Sequence, residues 1–284
     1  SALNITYRQP SRLEASAYAS LLDDGIYVGY GNKKFAWSNS VRYKTTRNLL
    51  GSLDTKGEYR PTFVDYQTFL TLKPNKRWEI NILGNISNNN YNFYPEDRET
   101  RFGTSEDVKS FRVFFDGQEK DVFRTYFGSA GLTYKICNAT KVSLMASAFK
   151  THEQERYDIQ GQYWLTQTET SENLGVGTFF QHARNYLDAH VESLKMMFNT
   201  KAKKHDIEAA FTIKNEHITE NSAEYEMRDS SNYNIPHTGS DLKMIYSMRA
   251  KNSLSARRME AYIQDTYRFA SAGKKTLYTL NYGV

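Results

Sequence analysis

The chain has 284 residues, a formal net charge of +5 at pH 7, 39% hydrophobic and 14% aromatic residues, and a mean hydropathy of −0.69. Its 21 Tyr and 16 Phe exclude a disordered chain, which is poor in such residues, and no run approaches the roughly 18 apolar residues of a transmembrane helix. The single cysteine, Cys137, excludes an internal disulfide and argues against a cysteine-built metal site. The modest positive charge permits an anionic partner without naming one.

Taken in chain order, the segments alternate with period two and lack helical stripes. In "RLEASAYASLL", Leu13, Ala15, Ala17, Ala19 and Leu21 share one face, and Glu14, Ser16, Tyr18 and Ser20 the other. "VDYQTFLTL" sets Val64, Tyr66, Thr68, Leu70 and Leu72 against Asp65, Gln67, Phe69 and Thr71. "WEINILGNIS" opposes Trp78, Ile80, Ile82, Gly84 and Ile86 to Glu79, Asn81 and Asn85. Further on, Tyr126, Gly128, Ala130, Leu132, Tyr134 and Ile136 fall together, as do Ile207, Ala209, Phe211 and Ile213. About eleven such strands are predicted, so the chain reads as all-β.

Short polar turns are expected at 31–34, 73–77, 135–141, 199–205 and 269–275, separated by long irregular stretches over roughly 88–120, 152–185 and 218–255. Short turns at one end and long loops at the other are the pattern of an outer-membrane barrel; a β-sandwich mixes loop lengths at both ends. Strands that are apolar on one face only also reconcile a mean hydropathy of −0.69 with lipid contact. Trp78, Tyr134 and Phe269, near strand ends, suit an interfacial girdle or the core of a soluble sandwich. The five turns hold twelve Lys or Arg and no Asp or Glu, which suits anionic headgroups or simple solubility. Scattered over separate turns, these charges do not make a nucleic-acid surface.

No catalytic constellation emerges. His152 with Glu153, Glu216 with His217, and His182 with His190 lack an H-E-x-x-H frame, and read as scattered histidines of loops or the lumen. "GYGNKKF" and "GVGTFF" contain G-x-G without a following helix pattern. The expectation is no enzyme, no cofactor and no metal site. The aromatic, amide-rich stretches "NNNYNFYPEDRETRFG" and "YDIQGQYWLTQTE" offer Tyr91, Phe93, Tyr94, Tyr163 and Trp164 as ligand-stacking candidates in extracellular loops. The plainer reading of these aromatics is packing within the loops or the girdle.

The hairpin "AYIQDTYRF … LYTLNYGV", with Tyr262, Ile263, Gln264 and Asp265 in its first strand and Gly283-Val284 in its second, resembles one in the barrels of TonB-dependent outer-membrane receptors. "ALNITYRQP" is similar to their last plug strand, and "RLEASAYASLL" to their first barrel strand. "GEYRPTFVDYQTFLTLKPNKRWEINILGNIS" and "FKTHEQERYDIQGQYWL" resemble members of Bacteroidetes type. The resemblance implies residues 1–10 as the end of a plug domain and 11–284 as the N-terminal half of the barrel domain, incomplete at its C-terminus. It implies an up-and-down antiparallel meander supplying about 11 strands of a transmembrane barrel of about 22. The implied function is import of a large scarce nutrient (siderophore, cobalamin, glycan or peptide) across the cell outer membrane. The implied partners are the bilayer, the TonB complex acting through a plug and N-terminal box not included here, and, in some systems, a surface lipoprotein. The alternative is a secreted or periplasmic β-rich ligand-binding module.

Overall fold

A computed structural model describes residues 7–46, 57–104, 107–171, 173–229, 242–270 and 277–284. Thirteen strands make one sheet: β1 (Glu14–Ala19), β2 (Asp23–Gly31), β3 (Phe35–Thr45), β4 (Gly57–Tyr59), β5 (Thr62–Leu72), β6 (Trp78–Pro95), β7 (Arg98–Thr104), β8 (Asp107–Lys135), β9 (Thr140–Gln167), β10 (Asn173–Ala202), β11 (His205–Asp229), β12 (Lys243–Ala270) and β13 (Leu277–Gly283). The path runs β1-β2-β3-β5-β6-β8-β9-β10-β11-β12-β13, each strand antiparallel to the next, with β4 added to β6 and β7 to β8. The sheet is an open meander, because β1 and β13 do not pair with one another.

The tight connections 32–34, 73–77, 136–139 and 203–204 all lie at one end, as a meander requires of alternate turns. Asn32 Oδ1 accepts the amides of Lys34 and Phe35, and Asn75 Oδ1 those of Arg77 and Trp78, so each asparagine closes its own turn. Neighbouring turns are tied by backbone bonds, Lys73 N–H to Lys34 O at 2.7 Å and Lys201 N–H to Ala139 O at 2.9 Å. The connection 271–276, part of the fifth expected turn, lies outside the described residues.

One expectation is overturned. The stretches 88–120, 152–185 and 218–255 are mostly paired strand: β6 runs to Pro95, β8 begins at Asp107, β9 and β10 cover most of the second stretch, and β11 and β12 reach into the third. The physical reason is that period two in hydrophobicity marks one apolar face, whereas a strand polar on both faces pairs equally well and shows no alternation. β10, at 30 residues, extends ~100 Å at about 3.4 Å per residue, roughly three times what crosses a bilayer.

Among the described residues the sheet has no large apolar core. The buried apolar residues are Ala36, Ala183 and Ala210, while Asp65 (2% exposed), Thr71 (1%), Ser143, Thr151, Thr212 and Ser222 are buried polar ones. Register puts all nine on one face, termed the polar face. Residues 7–10 lie across it without joining a strand. The Tyr7 ring stacks on Phe69 at 4.9 Å, Gln67 Nε2 donates to Tyr7 Oη, and Lys73 Nζ donates to Gln9 Oε1. Glycine at 31 permits this approach, since a Cβ there would meet the Pro10 carbonyl oxygen at 1.9 Å. Residues 1–6, the rest of the expected plug strand, lie outside the described residues.

Candidate functional site

The opposite face carries an apolar band built row by row from paired residues. One row joins Leu70, Ile82, Ala130, Ala146, Leu194, Ile213 and Met259 across β5 to β12. The next, nearer the tight turns, joins Leu72, Ile80, Leu132, Leu144, Met196, Phe211 and Ala261, and a third joins Trp78, Tyr134, Val142, Phe198, Ala209 and Ile263. These side chains are turned outward: Leu194 is 47% exposed and Ile263 52%. Wholly burying one such side chain is worth about 1.5–3 kcal/mol. Left in water, the band forgoes on the order of 10–20 kcal/mol, as much as the net stability of many domains.

The two borders of the band differ. At the tight-turn border stand aromatic pairs, Trp78 with Tyr134 (4.6 Å) and Tyr30 with Phe35 (6.4 Å), and a stack running from His205 to Tyr267, Phe269 and Tyr278 at 4.7, 5.4 and 5.1 Å. At the far border, over β10 to β12, a single register step replaces Leu194, Ile213 and Met259 by Glu192, Asn215 and Arg257, and the next brings His190 and His217, beside Lys150 of β9. Over β5, β6 and β8 that last row holds Tyr66, Ile86 and Tyr126. Arg257 Nε donates to Asn215 Oδ1 at 3.0 Å, so the charged row is itself knitted together.

The polar face is hydrogen-bonded over this height and beyond it. Thr71 Oγ1 donates to Asn81 Oδ1, and Thr133 and Ser143 share a hydroxyl bond. Around the far border Lys214 pairs with Glu260 and Arg258 with Glu216, and past it Arg42 grips Asp65 with two bonds of 2.8 and 2.9 Å. Sequence reasoning placed residues on this face correctly but left it without chemistry.

The five aromatic candidates lie in strands, not in loops, because the irregular stretches assigned to them are paired. They also divide between the faces. Tyr91 and Phe93 of β6 stand on the polar face, their rings tilted against Tyr59 of β4 at 5.9 and 4.7 Å. Tyr163 of β9 shares that face, packs on Phe111 at 6.2 Å and donates its hydroxyl to the Asp229 carbonyl at 3.0 Å. Tyr94 points the other way, with the Arg60 guanidinium 4.9 Å from its ring centre, and Trp164 shares the outward face. No single pocket gathers all five.

The described histidines lie on the outward face of the strands, not in loops or facing the polar side. His152 is bonded to Asp188 at 2.7 Å and His182 to Asp158 at 2.6 Å, while His190 meets Glu192 and His217 meets the Ser255 hydroxyl. Among the described residues no three His, Cys, Asp or Glu side chains converge as metal ligands. Across known proteins, no family model, curated protein or solved structure matches the chain.

Proposed function

We propose that the chain is part of the barrel of an outer-membrane transporter of the TonB-dependent receptor type, which imports a large, scarce nutrient. The observation that carries this reading is the apolar band, bordered by aromatic rings at the tight turns and by polar and charged groups over β10 to β12 on the other side, on a sheet whose opposite face is polar and hydrogen-bonded. Water is the wrong solvent for such a face, and a bilayer is the right one. An open edge in hydrocarbon leaves backbone groups unpaired at several kcal/mol each. The eleven-strand path is therefore completed by further strands into a closed cylinder.

The polar face then lines the interior, and residues 7–10 lying across it fit the exit of a plug. The sequence resemblance supplies the rest: energy drawn from the TonB complex through that plug, and a cargo among siderophores, cobalamin, glycans and peptides. The strands that continue beyond the band make the walls of an outer vestibule where cargo is met.

Cell fractionation tests this directly, using an antibody raised against the chain. The protein is expected in the outer-membrane pellet, released by detergent and not by carbonate or high salt. Recovery in the soluble fraction, monodisperse in plain buffer, contradicts it and favours a secreted or periplasmic binding module.

A further inference from the structure

Beyond the apolar band, three successive rows of the polar face carry a concentration of negative charge. One row joins Tyr91, Asp121, Glu155, Asn185 and Ser222; the rows either side add Glu153 with Glu220 and Glu119 with Glu224. From β6 to β12 these rows hold six carboxylates and no Lys, Arg or His. Their protein partners are neutral donors. Asn185 Nδ2 bridges Glu155 and Glu224 at 3.1 and 2.6 Å, Asn252 and Ser222 serve Glu220, and the Tyr246 hydroxyl reaches Glu224 at 3.3 Å.

A second observation shows that the cluster is unfinished. Asp121 is 8% exposed, yet its Oδ1 is enclosed and accepts no hydrogen bond, and Asn185 Oδ1 is in the same condition. Both residues line a cavity of about 360 Å³, with Glu153, Glu155 and Glu224 on its wall. An enclosed carboxylate oxygen without a donor costs roughly 1–3 kcal/mol or more. The Asp121 carboxylate is otherwise bonded by the Glu119 carboxyl and the Arg156 amide, and the two open acceptors facing one cavity describe a place for a further donor. Repulsion within the cluster is visible in Glu119, whose carboxyl is pushed up to about 7, first by burial and then by the charges of Asp121 and Glu155.

The chemistry of the missing donor follows. No three carboxylates converge on one point, so a compact metal ion is not what the cluster fits. Its charges are spread over three strands, β8, β9 and β11, and the rings of Tyr91, Phe93 and Tyr157 stand in the same rows, which suits a flat or extended organic cation. We propose that this acidic cavity on the polar face of β8 to β11, with Phe123 on its wall, binds ammonium or guanidinium groups of a polycationic ligand. The proposal rests on the reading that this face lines the vestibule of a transporter, and it names the charge of one cargo or cargo segment.

The test is calorimetric titration of the full chain in detergent micelles at low salt, with tri-arginine, spermidine, tri-glutamate and calcium as probes. Tri-arginine or spermidine is expected to bind, the tighter of the two revealing whether guanidinium or amine is preferred, and binding should weaken at least tenfold between 50 and 500 mM salt. The double variant Asp121→Asn/Glu155→Gln should weaken it a further tenfold or more. Glu260→Gln, on the same face but paired with Lys214 nearer the tight turns, should leave it unchanged.

Going from pH 8 to pH 6 should also weaken binding, as Glu119 takes up its proton. The titratable groups facing Glu119 are Tyr91, Asp121, Glu155 and Tyr157, and of these only the carboxylates alter charge on acidification. Glu119→Gln, which adds no charge and removes that proton site, serves as a second variant should the double one misfold. Failure to bind either cation, equal binding of tri-glutamate, preference for calcium, or indifference to both variants overturns the proposal. Cation binding by a chain that fractionates as soluble would remove the membrane reading and keep the site; a membrane chain blind to cations would do the reverse.

Discussion

Arg42 and Asp65 show how a polar face is held together. Asp65 is almost wholly buried, and its carboxylate takes both bonds from a guanidinium that remains half exposed. Arg42→Ala strands a buried charge and should cost about 3–5 kcal/mol, whereas Asp65→Asn leaves a cation that can still reach water and should cost less. Urea unfolding in lipid vesicles reads the difference; equal losses would contradict the asymmetry. Glu119 makes a second point at this scale. A carboxyl raised to about 7 contributes stability that is full below the ordinary carboxylate range and lost as pH rises through about 7. Glu119→Gln should therefore raise stability at pH 8, leave it nearly unchanged at pH 4, and flatten the profile between. A profile unchanged by the substitution would show that the neighbouring carboxylates do not repel it.

Each strand has two regimes, and its position along the strand decides what a substitution does. Met196→Arg places a charge in the middle row of the apolar band, where such substitutions cost about 2–4 kcal/mol at the midplane. His190→Arg, six residues along the same face, lies past the border and should cost less than about 1 kcal/mol. Unfolding in vesicles checks both, and equal costs would move the border. This division also explains what the sequence made legible. Alternation in 64–72 and 207–213 revealed the face of every residue in those segments, because the outward face there is apolar and the other polar. The halves of β8 to β12 away from the tight turns left no such mark, since a strand polar on both faces shows no period. The acidic cluster was hidden for another reason. Asp121, Glu155, Asn185 and Ser222 are about thirty residues apart, and only the register of long hairpins sets them side by side. The aromatic candidates fell between these cases: their chemistry was legible, but a tyrosine's face cannot be read where alternation has faded.

At the scale of the whole molecule, the sheet exchanges the usual arrangement of a folded chain for its reverse. Alanine, serine, threonine and aspartate fill the enclosed side, and leucine, isoleucine, methionine and phenylalanine cover the open one. No packing of a single sheet on itself buries such a band in water. Residues 7–10 bear on the other side, where Gly29 and Gly31 leave room for Pro10. Gly31→Val should dislodge this segment and release Tyr7 from Phe69, detectable as increased proteolysis near Arg8 with the sheet intact; unchanged protection would mean that the segment is held elsewhere. The central claim, that lipid covers the apolar face, is tested most directly by nitroxide scanning from Ile207 to His217 in β11 after reconstitution into bilayers. Oxygen accessibility should oscillate with period two, high at Ala209, Phe211 and Ile213 and low at Ala210 and Thr212, and give way to a water-soluble relaxer from Asn215 onward. High accessibility to the water-soluble relaxer at Ala209, Phe211 and Ile213 would contradict the account.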